Sequence, residues 1–216
     1  MKKKSCLYLL LLALFLSSCL GFKADITLNK NGNGTIDLQY HISKSLDSLG
    51  KMDGNERWNT IPAGRADFER TLGRVPDIKL LSFSSGEDDK NIIITSKLEF
   101  SSINGLTGFL DALGRHSSFE GDSSRGHLVL VLSKAPPLNN SSLKKLLSSI
   151  SAGYTASISF TFPENGSLKL YDGQGNSLNR DAENRVIISE GKKVSFILPI
   201  YDLLSSDNGI TAEFIW

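Results

Sequence analysis

"ADITLNKNGNGTIDLQYHIS", residues 24–43, decides the fold. Ile26 and Leu28 precede a cluster of Asn and Gly, and Ile36, Leu38, Tyr40 and Ile42 follow it at every second position. Side chains on a strand point alternately to two faces, so this spacing gathers the apolar ones on one face. Asn and Gly accept the left-handed backbone that a tight reversal demands. The stretch reads as a β-hairpin with one buried face. A calcium loop is the competing reading, because Asn29, Asn31, Asn33, Gly34, Thr35 and Asp37 fall on loop positions 1, 3, 5, 6, 7 and 9. That site needs helices on both flanks and a bidentate glutamate at position 12. Here the flanks have strand periodicity and position 12 is Tyr40, so the segment is a turn.

The pattern continues along the chain. "DIKLLSF" and "NIIITSKLEF" around the acidic "SSGEDDK" predict a second hairpin, with Ile92, Ile94, Leu98 and Phe100 on one face and Ser96 between them. "GHLVLVLSK" predicts a strand buried on both sides, and "YTASISFTFP" alternates again, with Ile158, Phe160 and Phe162 opposite Ser157, Ser159 and Thr161. Further strands are expected near 167–171, 185–189, 193–198 and 210–216. Helical spacing marks 43–52, 63–76, 101–115 and 139–153. In the second of these Phe68 and Leu72 face inward and Pro76 is the stop. In the third, Ser101 or Ser102 is the N-cap and Gly114 the close. Gly105 and Gly108 weaken that helix by about 1 kcal/mol each unless something packs close to them. Eight or nine mostly hairpin-linked strands without βαβ alternation predict an α+β fold. We expect a curved, mostly antiparallel β-sheet with helices packed on one face, a shape that could close toward a barrel.

The first residues carry an address. Lys2, Lys3 and Lys4 precede an apolar run, Leu7 to Leu16, that is too short to span a bilayer and fits a signal peptide. It ends in Leu16-Ser17-Ser18-Cys19, which resembles the lipobox of bacterial lipoproteins. That resemblance implies a diacylglyceryl group on the Cys19 sulfur, cleavage between Ser18 and Cys19, and a new amine open to acylation, hence a palmitate-type anchor. An ordinary secretory peptide with a chance cysteine is the alternative. The expected organisation is a lipoprotein signal peptide over 1–18, a lipidated tether over 19–23 and a single extracytoplasmic domain over 24–216. Two or more acyl chains hold a protein stably at a membrane, so the membrane is the expected partner of Cys19. Leu20 after the cysteine favours the outer membrane under the proteobacterial sorting rule, and the sequence leaves inner or outer membrane open.

Composition limits the chemistry. Of two cysteines, Cys6 departs with the leader and Cys19 carries the lipid, so a disulfide within one mature chain is not expected. The leader takes three lysines and no acids, turning 24 Lys and Arg against 23 Asp and Glu into a net charge of −2, histidines neutral. That balance, without a basic block, argues against a nucleic-acid partner. His41, His116 and His127 sit in unrelated contexts, with His41 expected on the exposed side of its strand. Glu87, Asp88 and Asp89 read as a solvated turn, and "GQG" at 173–175 as a polar turn and not a dinucleotide loop. Trp58 and Trp216 are candidate core or rim aromatics. Catalysis needs a nucleophile, a base and an orienting group that converge, and no such motif is legible. We therefore expect neither an enzyme, nor a cofactor, nor a metal site.

The layout also resembles the LppM-type lipoprotein domain family of bacteria. The matching features are the lipobox cysteine followed closely by "ADITLNKNGNGTIDLQYHISK", then "ISFTFPENGSLKLYDGQGN", and "NRVIIS" and "KVSFILPI" in place of that family's closing strands. The chain departs from the family in having Glu164 where a glycine usually follows proline, in lacking a tryptophan near Val186, and in ending at Trp216 where a transmembrane helix often follows. The resemblance implies a β-rich, lipid-binding-like fold and an envelope role involving lipids or glycolipids, with no binding residue transferable. The functional expectation is a membrane-anchored, non-enzymatic envelope module that binds a lipid or other hydrophobic ligand. The alternative is an interaction lipoprotein with a packed core that serves an envelope assembly through a protein partner.

Overall fold

A computed structural model describes residues 21–44, 64–111, 117–133, 145, 148, 149, 151–178, 185–205 and 209–216. Strands β1 (Phe22–Leu28) and β2 (Gly34–Ser43) form the expected hairpin, with Leu28 opposite Gly34 and Phe22 opposite Tyr40. The Asn29 amide donates to the Asn33 carbonyl at 2.8 Å and Gly32 turns the chain at φ +84°. Gly34 is required for a different reason. A Cβ there would lie 1.9 Å from the Thr27 carbonyl and 2.4 Å from the Phe100 ring, so the strands meet only over a glycine.

β3 (Ile78–Glu87) and β4 (Asn91–Phe100) form the second hairpin, and β4 pairs with β2. Asp88 closes their turn by accepting the Lys90 and Asn91 amides at 2.7 and 2.6 Å. Ile94, Ser96, Leu98 and Phe100 are buried together, and Ile92 is partly buried against them. The strand β3 extends through Glu87, so the turn is shorter than the acidic segment suggests.

α1 (Arg65–Leu72) buries Phe68 and Leu72 and ends at Gly73, ahead of Pro76. α2 (Ile103–Asp111) is capped by Ser102, whose Oγ accepts the Gly105 amide at 3.1 Å. Close packing explains Gly105: a Cβ would fall 2.8 Å from that of Asp77. Of the helix expected at 43–52, Ser43 instead ends β2 and residues 45–52 lie outside the described residues, as does the Gly114 close. Of the 139–153 helix, residues 145, 148, 149 and 151–153 are described; 145, 148, 149 and 151 are helical, and 152–153 form a turn.

The second half corrects the reading in four places. A strand absent from the sequence reading, β5 (Ser117–Gly121), pairs with β6 (Gly126–Ser133). β6 is not buried on both sides: Leu128, Leu130 and Leu132 are buried while Val129 and Val131 are half-buried. The two strands expected over 155–162 and 167–171 are one, β7 (Thr155–Asp172). Between β9 (Glu190–Pro199) and β10 (Ile210–Ile215) lies an unexpected short helix, α3 (Ile200–Ser205). β8 (Val186–Ile188) pairs with β9.

β7 organises the rest. At Thr161 it faces Thr27 of β1 on one side and Lys193 of β9 on the other. At Ser167 it faces Ile215 of β10 and Glu190 of β9. Between them the register with β9 shifts, so Phe162 to Asn165 form an extended bulge that bends the strand. The β1–β7 pair is parallel, and the other described pairs are antiparallel. The strand order is β3-β4-β2-β1-β7-β10-β6-β5, a curled mixed sheet that forms a half-barrel with few helices.

The bend brings aromatic rings together. Phe160 lies 4.5 Å from Phe214 and 5.4 Å from Phe162 between ring centres, and Phe162 stacks on Trp216 at 4.7 Å. Gly126 opposite Trp216 has room only for hydrogen, since a Cβ would sit 2.2 Å from the indole. Phe100, Phe160, Phe196, Phe214, Leu98 and Ile94 have no accessible surface, so neither solvent nor a water-sized void touches them.

Candidate functional site

Two surface features gather polar side chains. The first lies on the outer face of the sheet, where β10 runs between β6 and β7. Glu213 on β10 accepts from the Tyr171 hydroxyl at 3.1 Å through Oε2, and its Oε1 lies 2.9 Å from His127 Nε2. Burial and the bond to Glu213 push the Tyr171 phenol above its ordinary range. A histidine held by a carboxylate is half of a general-base arrangement. Register places Val129, Thr211, Lys169, Ser167 and Ile215 on the same face.

The second is an open groove of about 290 Å³ at one end of the half-barrel. The β1–β2 turn supplies Asn31, the start of α2 supplies Ser101, Ile103 and Asn104, and the β5–β6 segment supplies Phe119 and Ser123. Ser123 donates to the Lys30 carbonyl at 2.6 Å and accepts, through its own carbonyl, the Trp216 indole N–H at 3.2 Å. These bonds tie the two hairpin ends across the groove. Asp122 is spent locally: Ser124 and the Arg125 and Ser124 amides hold its carboxyl below the usual range. Ser102 is also committed, donating to Asp77 at 2.8 Å while capping α2.

The residues singled out in the sequence fall as follows. Cys19 and Ser18 lie outside the described residues, as do Trp58 and His116. β1 begins at Phe22, so ordered strand starts inside the tether expected over 19–23. His41 is half-buried, not exposed, and Gln39 Nε2 donates to its Nε2 at 3.2 Å. Asp37 of the rejected calcium loop pairs with Lys97 at 3.3 Å. In the "DGQGN" turn Asp172 accepts the Gln174 and Asn176 amides, both at 2.9 Å. The acidic turn is internally bonded through Asp88. Trp216 is a buried core aromatic. The His127–Glu213 contact was missed because its partners lie 86 residues apart; only the β6–β10 pairing joins them.

Among the described residues no three His, Cys, Asp or Glu side chains are placed to hold a metal ion, and no helix is long and apolar enough to cross a membrane. No family model and no curated protein matches the chain. Among solved structures it is similar to the folded domain of the LppM protein of Mycobacterium tuberculosis, determined by NMR. The match covers 91% of this chain and 90% of that domain, with 13% identity and a TM-score of 0.39, a weak likeness of fold.

Proposed function

We propose that this chain is a lipid-anchored module of a bacterial cell envelope, held through Cys19, that works by binding a protein partner at its surface and not by catalysis. The observation that carries the surface reading is the close packing of the described core rings. Phe100, Phe160, Phe196 and Phe214 leave no water-sized space beside them. A lipid site in a sheet of this kind is a cavity of several hundred cubic ångströms, about 300–1,000 Å³ for small ligands. The leader motif supports the anchor.

A second reading, a lipid or glycolipid ligand, is favoured by Leu81, Val186 and Ile188, apolar side chains left about half exposed. The test is to express the full chain in a bacterium with labelled palmitate and to isolate membranes. The proposal expects label on the wild-type chain and none on Cys19→Ser, with cross-linking in the membrane trapping a protein partner. A wild-type chain without label removes the anchor. A labelled chain that traps lipid and no protein favours the second reading.

A further inference from the structure

The unused main-chain groups of a sheet edge form a template for another strand, and proteins guard such edges with charges, proline or bulges. β3 is one end of the sheet, and among the described residues only β4 pairs with it. Charges stand at its two ends, Lys79 and Glu87, and a bulge lies at Leu81, where the register against β4 slips between Leu80 and Ser82. From Ser82 to Gly86 the strand "SFSSG" carries no charge and no proline. Ser82, Ser84 and Gly86 share one face, set by their partners Lys97, Thr95 and Ile93. Phe83 turns to the other face, where its ring lies 5.7 Å from that of Phe68 on α1. Nothing lies within 4 Å of where a Gly86 Cβ would be.

We propose that β3 is the docking edge for a second copy of this chain, pairing antiparallel across a two-fold axis at Ser84. In that register Ser84 faces Ser84, Ser82 faces Gly86 and Phe83 faces Ser85, so each face keeps its own residues. The small groups on the Ser82, Ser84 and Gly86 face let the two backbones approach. Charge selects this occupant and this direction. Lys79 lies before the paired stretch and Asp88 and Asp89 after it, with Glu87 already paired to Lys44 at 2.9 Å, so the antiparallel two-fold brings Lys79 of each copy beside Asp89 of the other. Asp88 is ionised there, its carboxyl held low by the Lys90 and Asn91 amides. A parallel pairing would set like against like.

The full chain is expressed with its leader, extracted in mild detergent and oxidised with a copper–phenanthroline catalyst. Directly opposed residues of an antiparallel pair have Cα atoms about 4.5–5.5 Å apart, within disulfide reach. Ser84→Cys is expected to give a dimer of twice the mass. Ser82→Cys lies four residues, about 13 Å, from its own copy and is expected to stay monomeric while its thiol still reacts with maleimide. The wild-type chain controls for Cys6 and Cys19. Ser84→Lys places two ammonium groups at the axis and is expected to weaken the unlinked dimer roughly tenfold or more in sedimentation, with melting unchanged. A Ser84→Cys chain whose new thiol reacts with maleimide but does not cross-link overturns the proposal. Equal cross-linking from positions 82 and 84 also overturns it, as does a Ser84→Lys chain that self-associates like the wild type.

Discussion

Gly34→Ala tests whether the hairpin is held by close approach and not by turn flexibility alone. The added methyl carbon would lie 1.9 Å from the Thr27 carbonyl oxygen and 2.4 Å from Phe100 Cζ, whereas real Cβ atoms stay beyond 3.0 Å. β1 and β2 must part by about 1 Å, or Phe100, which has no accessible surface, must leave its place. Overpacking of this kind costs about 1–3 kcal/mol or more. At the upper end, a domain of this size should melt about 6–12 °C lower. Gly32 is the internal comparison. It needs a left-handed backbone, φ +84°, but a Cβ there meets nothing closer than 3.8 Å. Gly32→Ala should cost about 1 kcal/mol, and Gly32→Asn less, since Asn tolerates that conformation. Gly34→Asn should be at least as damaging as Gly34→Ala. Urea unfolding of the four variants, compared at constant slope, gives the ranking. A Gly34→Ala chain as stable as Gly32→Ala would refute the close-approach account.

Three further outcomes follow from particular contacts. Ser96 is buried with its hydroxyl unpaired in the core of β4, so Ser96→Ala should be neutral or stabilise by about 1 kcal/mol in urea unfolding, and a marked loss would reveal a bond to that hydroxyl. Trp216→Ala removes the ring stacked on Phe162 and the N–H given to Ser123, and should cost about 3–5 kcal/mol, whereas Trp216→Phe should retain much of the stacking. The carboxyls of Asp25, Asp88, Asp122 and Asp172 sit below their ordinary value of 3.8 in the folded chain. Their contribution is present above that value and is lost as pH falls through the lower folded values, so the melting temperature should hold from pH 7 to 5 and fall below about pH 4. A flat profile down to pH 2 would show that these turns do not depend on ionised aspartates.

Local pattern carried much of the fold. The first hairpin, the second hairpin and α1 were legible because each has its own periodicity and its own turn residues, and each buries the face that the alternation marks. β7 was not, because Pro163, Asn165 and Gly166 read as a breaker where the chain instead bulges and keeps pairing with β9. β5 was hidden by its polarity: Phe119 alone of "SSFEG" is apolar, and pairing with β6 makes the strand. β6 misled in the opposite direction, since unbroken Leu and Val give no period and only the alternation of burial shows its two faces. The surface sites were the least legible. His127, Tyr171 and Glu213 come from three strands joined by long-range pairing, and the groove from three separate loops, so no window of sequence contains either.

The central claim is that the half-barrel is filled and offers its surface, so the decisive measurement is the native mass of residues 21–216 before and after organic extraction. Production in a bacterial cytosol followed by incubation with vesicles of bacterial phospholipid gives the body every opportunity to take up lipid. The account predicts the mass of the bare chain, or of its bare dimer, throughout. A stoichiometric extra mass, present after incubation and lost on extraction, would contradict it and place a lipid inside the fold.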